Sequence, residues 1–186
     1  MNALDALLNR VSVTRLLAPA PTQAQRQVMF QAALRAPDHA QLRPWRFLCI
    51  EEQARERLGE LYAQALQTEQ PEATGEQLDK VRAMPLRAPL LVVVIASPKE
   101  HPKVPHIEQL LSAGCAAHGL LLAAHAQGVG AVWRTGEMAY SPVVAQGLGL
   151  TAGEEILGFI YLGTPEGKLR TAPLLEQSDF VSDWPA

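Results

Sequence analysis

The chain has 186 residues, 48% of them apolar but only 5% aromatic. Its 28 alanines and 27 leucines are strong helix formers, which weighs against an aromatic-rich β-sandwich and against disorder. A formal charge of −3 leaves no basic footprint for nucleic acid, and two cysteines, Cys49 and Cys115, are too few for a zinc ribbon or a disulfide framework.

A chain of this length buries about 70% of its unfolded surface, so residues 1–186 are expected to form one domain without a disulfide or metal staple. Ala3, Leu4, Leu7 and Leu8 recur at helical spacing and predict a short first helix that stops near Arg10. Pro19 and Pro21 mark an irregular connection. Thr22 followed by Gln25 is a capping box and starts a second helix, with Val28, Met29, Ala32, Ala33 and Ala36 as its apolar stripe. Pro37 ends it. Trp45–Ile50 reads as a strand, residues 53–68 as a helix, and 76–84 as another closed by Pro85 and Pro89. Leu90–Ala96 is a continuous apolar, β-branched run, the pattern of a strand buried on both faces. Residues 107–127 form the longest helix, and its many small residues predict a central position with close helix approach. Short strands over Ala131–Thr135 and Ile156–Leu162 flank a helix that begins at Pro142; the second ends at Gly163 and Pro165. This order predicts an α+β domain of three-layer α/β/α type.

Asp5, Arg10 and Arg15 interrupt any signal-peptide core within Met1–Ala20, and the longest candidate span, Leu90–Ala96, is far short of the ~20 residues a bilayer needs. The expected setting is a reducing cytoplasm, with no membrane partner. Walker, G-x-S-x-G and H-E-x-x-H signatures are absent. Gly128-Val129-Gly130 follows a helix and precedes a strand, the reverse of a dinucleotide fingerprint. His118 and His125 are two helical turns apart, about 10.5 Å, too far to share a metal. Cys49 and Cys115 read as core residues, and no metal site is expected.

Three polar clusters remain. Arg10-Val11-Ser12 follows the first helix, and a guanidinium with a hydroxyl suits a phosphate; a cation decorating a helix C-terminus is the plainer alternative. Arg35-Ala36-Pro37-Asp38-His39, followed by Pro44-Trp45, packs charge and aromaticity into a proline-bounded loop. Trp133-Arg134-Thr135-Gly136 sits where a strand ends, a common place for ligands.

In shared order with Arg87-Ala88-Pro89, Lys103-Val104-Pro105, Ser112–Ala116, Ala126-Gln127-Gly128 and Tyr161–Pro165, these clusters resemble the nitroreductase family of flavin enzymes. The likeness is greatest to its compact NAD(P)H nitroreductase branch. It implies a nitroreductase-like FMN-binding fold with a mixed central sheet flanked by helices. It also implies a homodimer with FMN at the subunit interface, reduced by NADH or NADPH. By that resemblance Arg10 and Ser12, with the Val11 backbone, hold the FMN phosphate. Arg35 and His39 approach the flavin or its phosphoribityl arm across the interface. Trp133, Arg134 and Thr135 border the isoalloxazine, with the Thr135 or Gly136 N–H facing N5. Ala123, Ala124, His125, Ala126, Gln127 and Gly128 form the nicotinamide contact of the branch. The implied activity is ping-pong hydride transfer to nitroaromatic, quinone or similar electron-poor acceptors, with the flavin carrying the chemistry and His39 contacting substrate or donating a proton. Dehalogenation, flavin fragmentation or heterocycle oxidation on the same fold, or a non-enzymatic flavin-binding role, are the competing readings. Two departures stand out: Val11 replaces a second arginine common in the family, and Gln41-Leu42-Arg43 replaces Asn-x-Gln. Arg15, Arg87, Lys168 and Arg170 are candidates to supply the missing cation.

Overall fold

The computed structural model describes residues 1–185. The chain order is α1 (Ala3–Asn9), β1 (Leu16–Leu17), α2 (Gln23–Ala33), β2 (Trp45–Glu51), α3 (Gln53–Glu69), α4 (Gly75–Arg82), β3 (Leu90–Ala96), α5 (His106–Ala126), β4 (Gly130–Arg134), α6 (Pro142–Gly147) and β5 (Glu155–Pro165). The capping box expected at Thr22 and Gln25 opens α2, and Pro142 occupies the first turn of α6 behind the Ser141 cap.

Every residue of β3 is buried, because helices cover both sheet faces. Leu91, Val93 and Ile95 pack with residues of α3, α4 and α6, while Leu90, Val92, Val94 and Ala96 pack with α2 and α5. The three-layer α+β expectation therefore holds. Gly119 marks a close helix contact: a Cβ there would lie 3.1 Å from the Ala32 carbonyl oxygen, so the small residues of α5 let α2 approach.

The expected mixed sheet is replaced by a wholly antiparallel one. β2 pairs β3, β3 pairs β5, β4 pairs β5 and β1 pairs the end of β5, all antiparallel. β3 and β4, joined by α5, do run parallel, as a β-helix-β order suggests. They are not neighbours, because β5 enters between them antiparallel to both. β5 also runs through Gly163 to Pro165 instead of ending there, since β1 extends its pairing.

Three further expectations change. Cys49 and Cys115 are exposed, not core. Cys49 lies on β2, an edge strand, and Cys115 lies on the outer face of α5. The apolar stripe of α1 faces outward: Leu4, Leu7 and Leu8 are exposed, and only Ala6 is buried. Finally, α5 is by length and composition apolar enough to cross a membrane. Its inner face, including Ala113, Ala116, Ala117, Leu120 and Ala124, is nonetheless fully buried in the core.

Candidate active site

The antiparallel register of β4 and β5 builds the first half of the site. Val132 faces Tyr161 and Arg134 faces Phe159. Side chains two apart share a face, so Arg134 is diagonal to Tyr161 and its guanidinium carbon stands 5.8 Å from the ring centre. On the opposite face Trp133 is paired with Ile160 and diagonal to Gly158. Its Nε1–H donates to the Leu157 carbonyl at 3.1 Å, across a register shift in β5. Beyond the strand Gly136 takes φ 64°, and the chain turns through Glu137–Ala139.

These residues wall a cavity of about 600 Å³. Arg87, Arg134, Tyr62, Tyr161, Thr135 and Gly136 contribute to it. Tyr62 is 1% exposed and its hydroxyl has no hydrogen-bond partner. Burial, with Tyr161 adding to it, pushes the Tyr62 phenol well above its ordinary pKa, so it stays a donor. Burial also raises Tyr161, against the pull of the nearby Arg87 and Arg134 charges.

A second groove forms where the segment after α1 runs beside β4. The Val13 N–H donates to the Ala131 carbonyl at 2.8 Å, which lays the segment after α1 beside β4. Ser12 thereby enters a groove of about 410 Å³ together with Arg15, Lys168 and Arg170. Arg15 is held at 3.9 Å from Glu166. Among the described residues, neither Lys168 nor Arg170 pairs with a carboxylate. Of the four cations weighed as replacements for a second arginine at Val11, three therefore meet Ser12, and Arg87 lines the other cavity. Arg10 does not line the groove. It lies close enough to His125 to lower that imidazole's pKa, second to desolvation. The His125 Nε2 is buried and unpartnered.

Arg35 and His39 lie outside both cavities and are exposed. The loop that carries them is held firmly. The Asp38 carboxylate accepts from the backbone N–H groups of Leu42 (3.2 Å) and Arg43 (2.6 Å). Ala40, Gln41 and Arg43 all have positive φ, near 50–60° (61°, 53° and 49°), a costly conformation for residues with a Cβ. His39 Nδ1 sits 2.8 Å from the Glu108 carboxylate on the first turn of α5. The Ala123–Gly128 stretch is a helix C-terminus: Ala124 is core, Gln127 bonds the Ala123 and Gln25 carbonyls, and Gly128 turns the chain at φ 73°. It shares no wall with the Trp133 cavity.

Neither Tyr62 nor Tyr161 was expected at the site, although Tyr161 heads one of the segments that resemble the family. The available signal was a polar-tipped aromatic inside each of two otherwise apolar buried faces, which needs a partner or a ligand. No cluster of metal-ligating side chains exists among the described residues. The donor set suits a group with a phosphate at one end and a flat, polar-edged ring at the other. The groove offers a hydroxyl and unpaired cations; the cavity offers aromatic walls and orphaned donors.

The nitroreductase family profile matches residues 7–164, and the chain belongs to the nitroreductase family. It is 44% identical over 172 residues to "Putative NAD(P)H nitroreductase YdjA" of Escherichia coli K12, spanning 92% of this chain and 93% of that one. A Haemophilus influenzae protein named "Putative NAD(P)H nitroreductase" is 36% identical over 186 residues, covering 98% of this chain and 99% of its own. Two solved structures share the fold. A nitroreductase-like protein of Bacillus cereus superposes with TM-score 0.83 at 21% identity, covering 100% of this chain and 97% of its own. A Desulfovibrio desulfuricans nitroreductase in complex with FMN superposes with TM-score 0.73 at 23% identity, covering 100% and 99%.

Proposed function

We propose that this chain is an FMN-dependent oxidoreductase that takes hydride from NADH or NADPH and reduces electron-poor acceptors such as nitroaromatics or quinones in alternating half-reactions. The observation that carries this reading is a groove and a cavity, each with unpaired cations: Ser12 with Lys168 and Arg170 in one, Trp133–Gly136 with Arg87 in the other. When bound, FMN supplies the two-electron carrier that no protein side chain here provides. Ser12, Lys168 and Arg170 would hold its phosphate, and Arg10 would add positive charge from the end of α1. The Thr135 or Gly136 N–H would serve the ring where charge develops. The family name of the relatives supports the nicotinamide reductant. Residues 123–128 would contact it.

We place FMN between two copies of the chain, each contributing one domain. Leu4, Leu7 and Leu8 on α1, Ile107 and Leu111 on α5, and Trp184 in the tail are exposed large apolar side chains, the kind a permanent interface covers. Arg35 and His39, free of their own cavities, would then serve the partner's site. With Nδ1 engaged by Glu108, His39 has Nε2 left to orient substrate or hold a proton. The exposed, unpaired thiols fit a reducing cytoplasm.

The test is anaerobic addition of NADH, then NADPH, to FMN-loaded protein while the visible flavin band is followed. Bleaching by either, with recovery on adding a quinone or nitroarene, is expected. Protein that stays colourless after FMN loading overturns the flavin reading; a flavin that neither nucleotide bleaches overturns the enzyme.

A further inference from the structure

The loop before β2 is held in a shape that local preference opposes. Ala40, Gln41 and Arg43 all take positive φ, and such a backbone persists only where its surroundings over-determine it. Here they do. Asp38 accepts from the Leu42 and Arg43 N–H groups, the Lys99 ammonium donates to the Leu42 carbonyl at 2.6 Å, and His39 Nδ1 meets the Glu108 carboxylate at 2.8 Å. Lys99 is held in turn by Gln109, a 2%-exposed polar side chain on α5. Gln109 accepts from the Lys99 N–H at 2.8 Å and donates to the Lys99 carbonyl at 2.9 Å. Adjacent residues of one helix thus fix the loop, Glu108 directly and Gln109 through Lys99. An exposed ion pair stabilises a fold little, so stability does not account for a strained loop built around one. Orientation does. An ionised carboxylate only accepts hydrogen bonds, so Nδ1 carries hydrogen in both charge states of the ring. The proton that comes and goes is the one on Nε2, which makes no hydrogen bond among the described residues.

We propose that Glu108 is a positioning residue for the reduction of the electron acceptor: it fixes His39 with hydrogen on Nδ1, so that Nε2 alone delivers the proton the acceptor takes up. The inference rests on the reading above, in which His39 serves the partner's site. In that step the acceptor gains a hydride, with its two electrons, from the reduced cofactor and one proton from Nε2. A quinone thereby becomes its hydroquinone. The ring passes from imidazolium to imidazole, keeps its Nδ1–H on Glu108, and regains the Nε2 proton from water. Without Glu108 the neutral ring carries its hydrogen on either nitrogen and turns about its side-chain bonds, so fewer molecules present a proton in the right place.

The experiment compares wild type, Glu108→Ala, Glu108→Gln and His39→Gln as FMN-loaded proteins. Proton–nitrogen correlation spectra of protein with isotope-labelled histidine read which ring nitrogen of His39 bears hydrogen, and His39→Gln identifies its signals. The hydrogen should be on Nδ1 in wild type and in Glu108→Gln, whose amide oxygen still accepts, and should move largely to Nε2 in Glu108→Ala. Stopped-flow mixing reads bleaching by NADH or NADPH and reoxidation by a quinone separately. The ratio of reoxidation rate to bleaching rate should fall about tenfold in Glu108→Ala and about a hundredfold in His39→Gln, with Glu108→Gln recovering most of the loss. Wild-type His39 with its hydrogen on Nε2, or a Glu108→Ala ratio that matches wild type, overturns the proposal. Wild-type protein that binds no FMN, or whose flavin neither nucleotide bleaches, overturns the reading beneath it instead.

Discussion

Gly158 joins the stability of the sheet to the shape of the site. Its φ is 151°, and Trp133 lies across it. An added Cβ would clash with the indole Nε1 and would stand 2.7 Å from Trp133 Cδ1 and 2.8 Å from the Arg134 carbonyl oxygen. Carbon atoms pack at about 3.5–4.0 Å, so the indole must move by roughly 1 Å. That movement breaks the bond from Nε1 to the Leu157 carbonyl. Leaving those groups unpaired costs about 1–3 kcal/mol, and the backbone conformation about 1–3 kcal/mol more. Gly158→Ala should therefore lose about 3–5 kcal/mol, a large share of the ~5–15 kcal/mol that holds an ordinary domain. Urea titration followed by far-ultraviolet circular dichroism and tryptophan fluorescence measures it. Because Trp133 and Arg134 wall the ring cavity, FMN affinity should fall by about tenfold or more. Trp133→Phe removes the Nε1 clash, so the double variant should recover part of the loss. A Gly158→Ala protein within about 0.5 kcal/mol of wild type would refute this account of the β4–β5 contact.

Three other perturbations test separate parts of the structure. Arg46 grips Glu154 with two bonds of 2.6 and 2.7 Å and holds its carboxyl at a pKa of about 2. A depressed carboxylate stabilises above its unfolded pKa and loses that contribution as pH falls, so Glu154→Gln should cost about 2 kcal/mol at neutral pH, tempered by solvent at Arg46, and progressively less between pH 4.5 and 2; a difference constant from pH 7 to pH 3 counts against it. Replacing Lys168 and Arg170 together by Ala should weaken FMN binding about a hundredfold, about 2.8 kcal/mol, while leaving riboflavin binding unchanged; equal losses for both ligands would remove the groove from the phosphate. Leu7→Glu with Leu8→Glu should convert a species of twice 20.2 kDa into one of 20.2 kDa in analytical ultracentrifugation, and a wild type already sedimenting as one chain contradicts the shared site.

Local chemistry was the legible part of the fold. The Thr22–Gln25 box, the Pro142 start and the uninterrupted Leu90–Ala96 run each encode their element through neighbours in sequence, and the structure places them as read. What the sequence withheld was pairing. Nothing local tells β5 to enter between β3 and β4, since that choice is made by the fit of whole faces. The same limit explains Cys49, whose apolar surroundings looked like core until β2 proved to be an edge. It explains the α1 stripe too: periodicity reports that Leu4, Leu7 and Leu8 share a face but not what that face meets. Lys168 and Arg170 were visible as charges, yet only the pairing of β1 with the end of β5 leads the tail back to Ser12. Tyr62 and Tyr161 are distant in sequence and meet only because α3 packs on the sheet at β5.

Three arginines paired with carboxylates fasten the layers of this molecule together. Arg26 grips Glu51 through both nitrogens and also bonds the Pro21 carbonyl, fastening α2 to the sheet edge. Arg46 fastens β2 to the turn before β5, and Arg82 joins α4 to α3 through Glu60. Each of these is saturated by the chain itself. Arg87, Arg134, Lys168 and Arg170 have no such partners among the described residues, although the chain is acidic overall and has carboxylates to spare. Of these four only Arg134 is part-buried, with its Nε lacking an acceptor, and folding alone does not favour that because a buried guanidinium nitrogen gains from any acceptor within reach. Arg134 is therefore the cation whose placement points to a ligand, because it walls the cavity together with the Tyr62 hydroxyl, which is buried and equally without a partner.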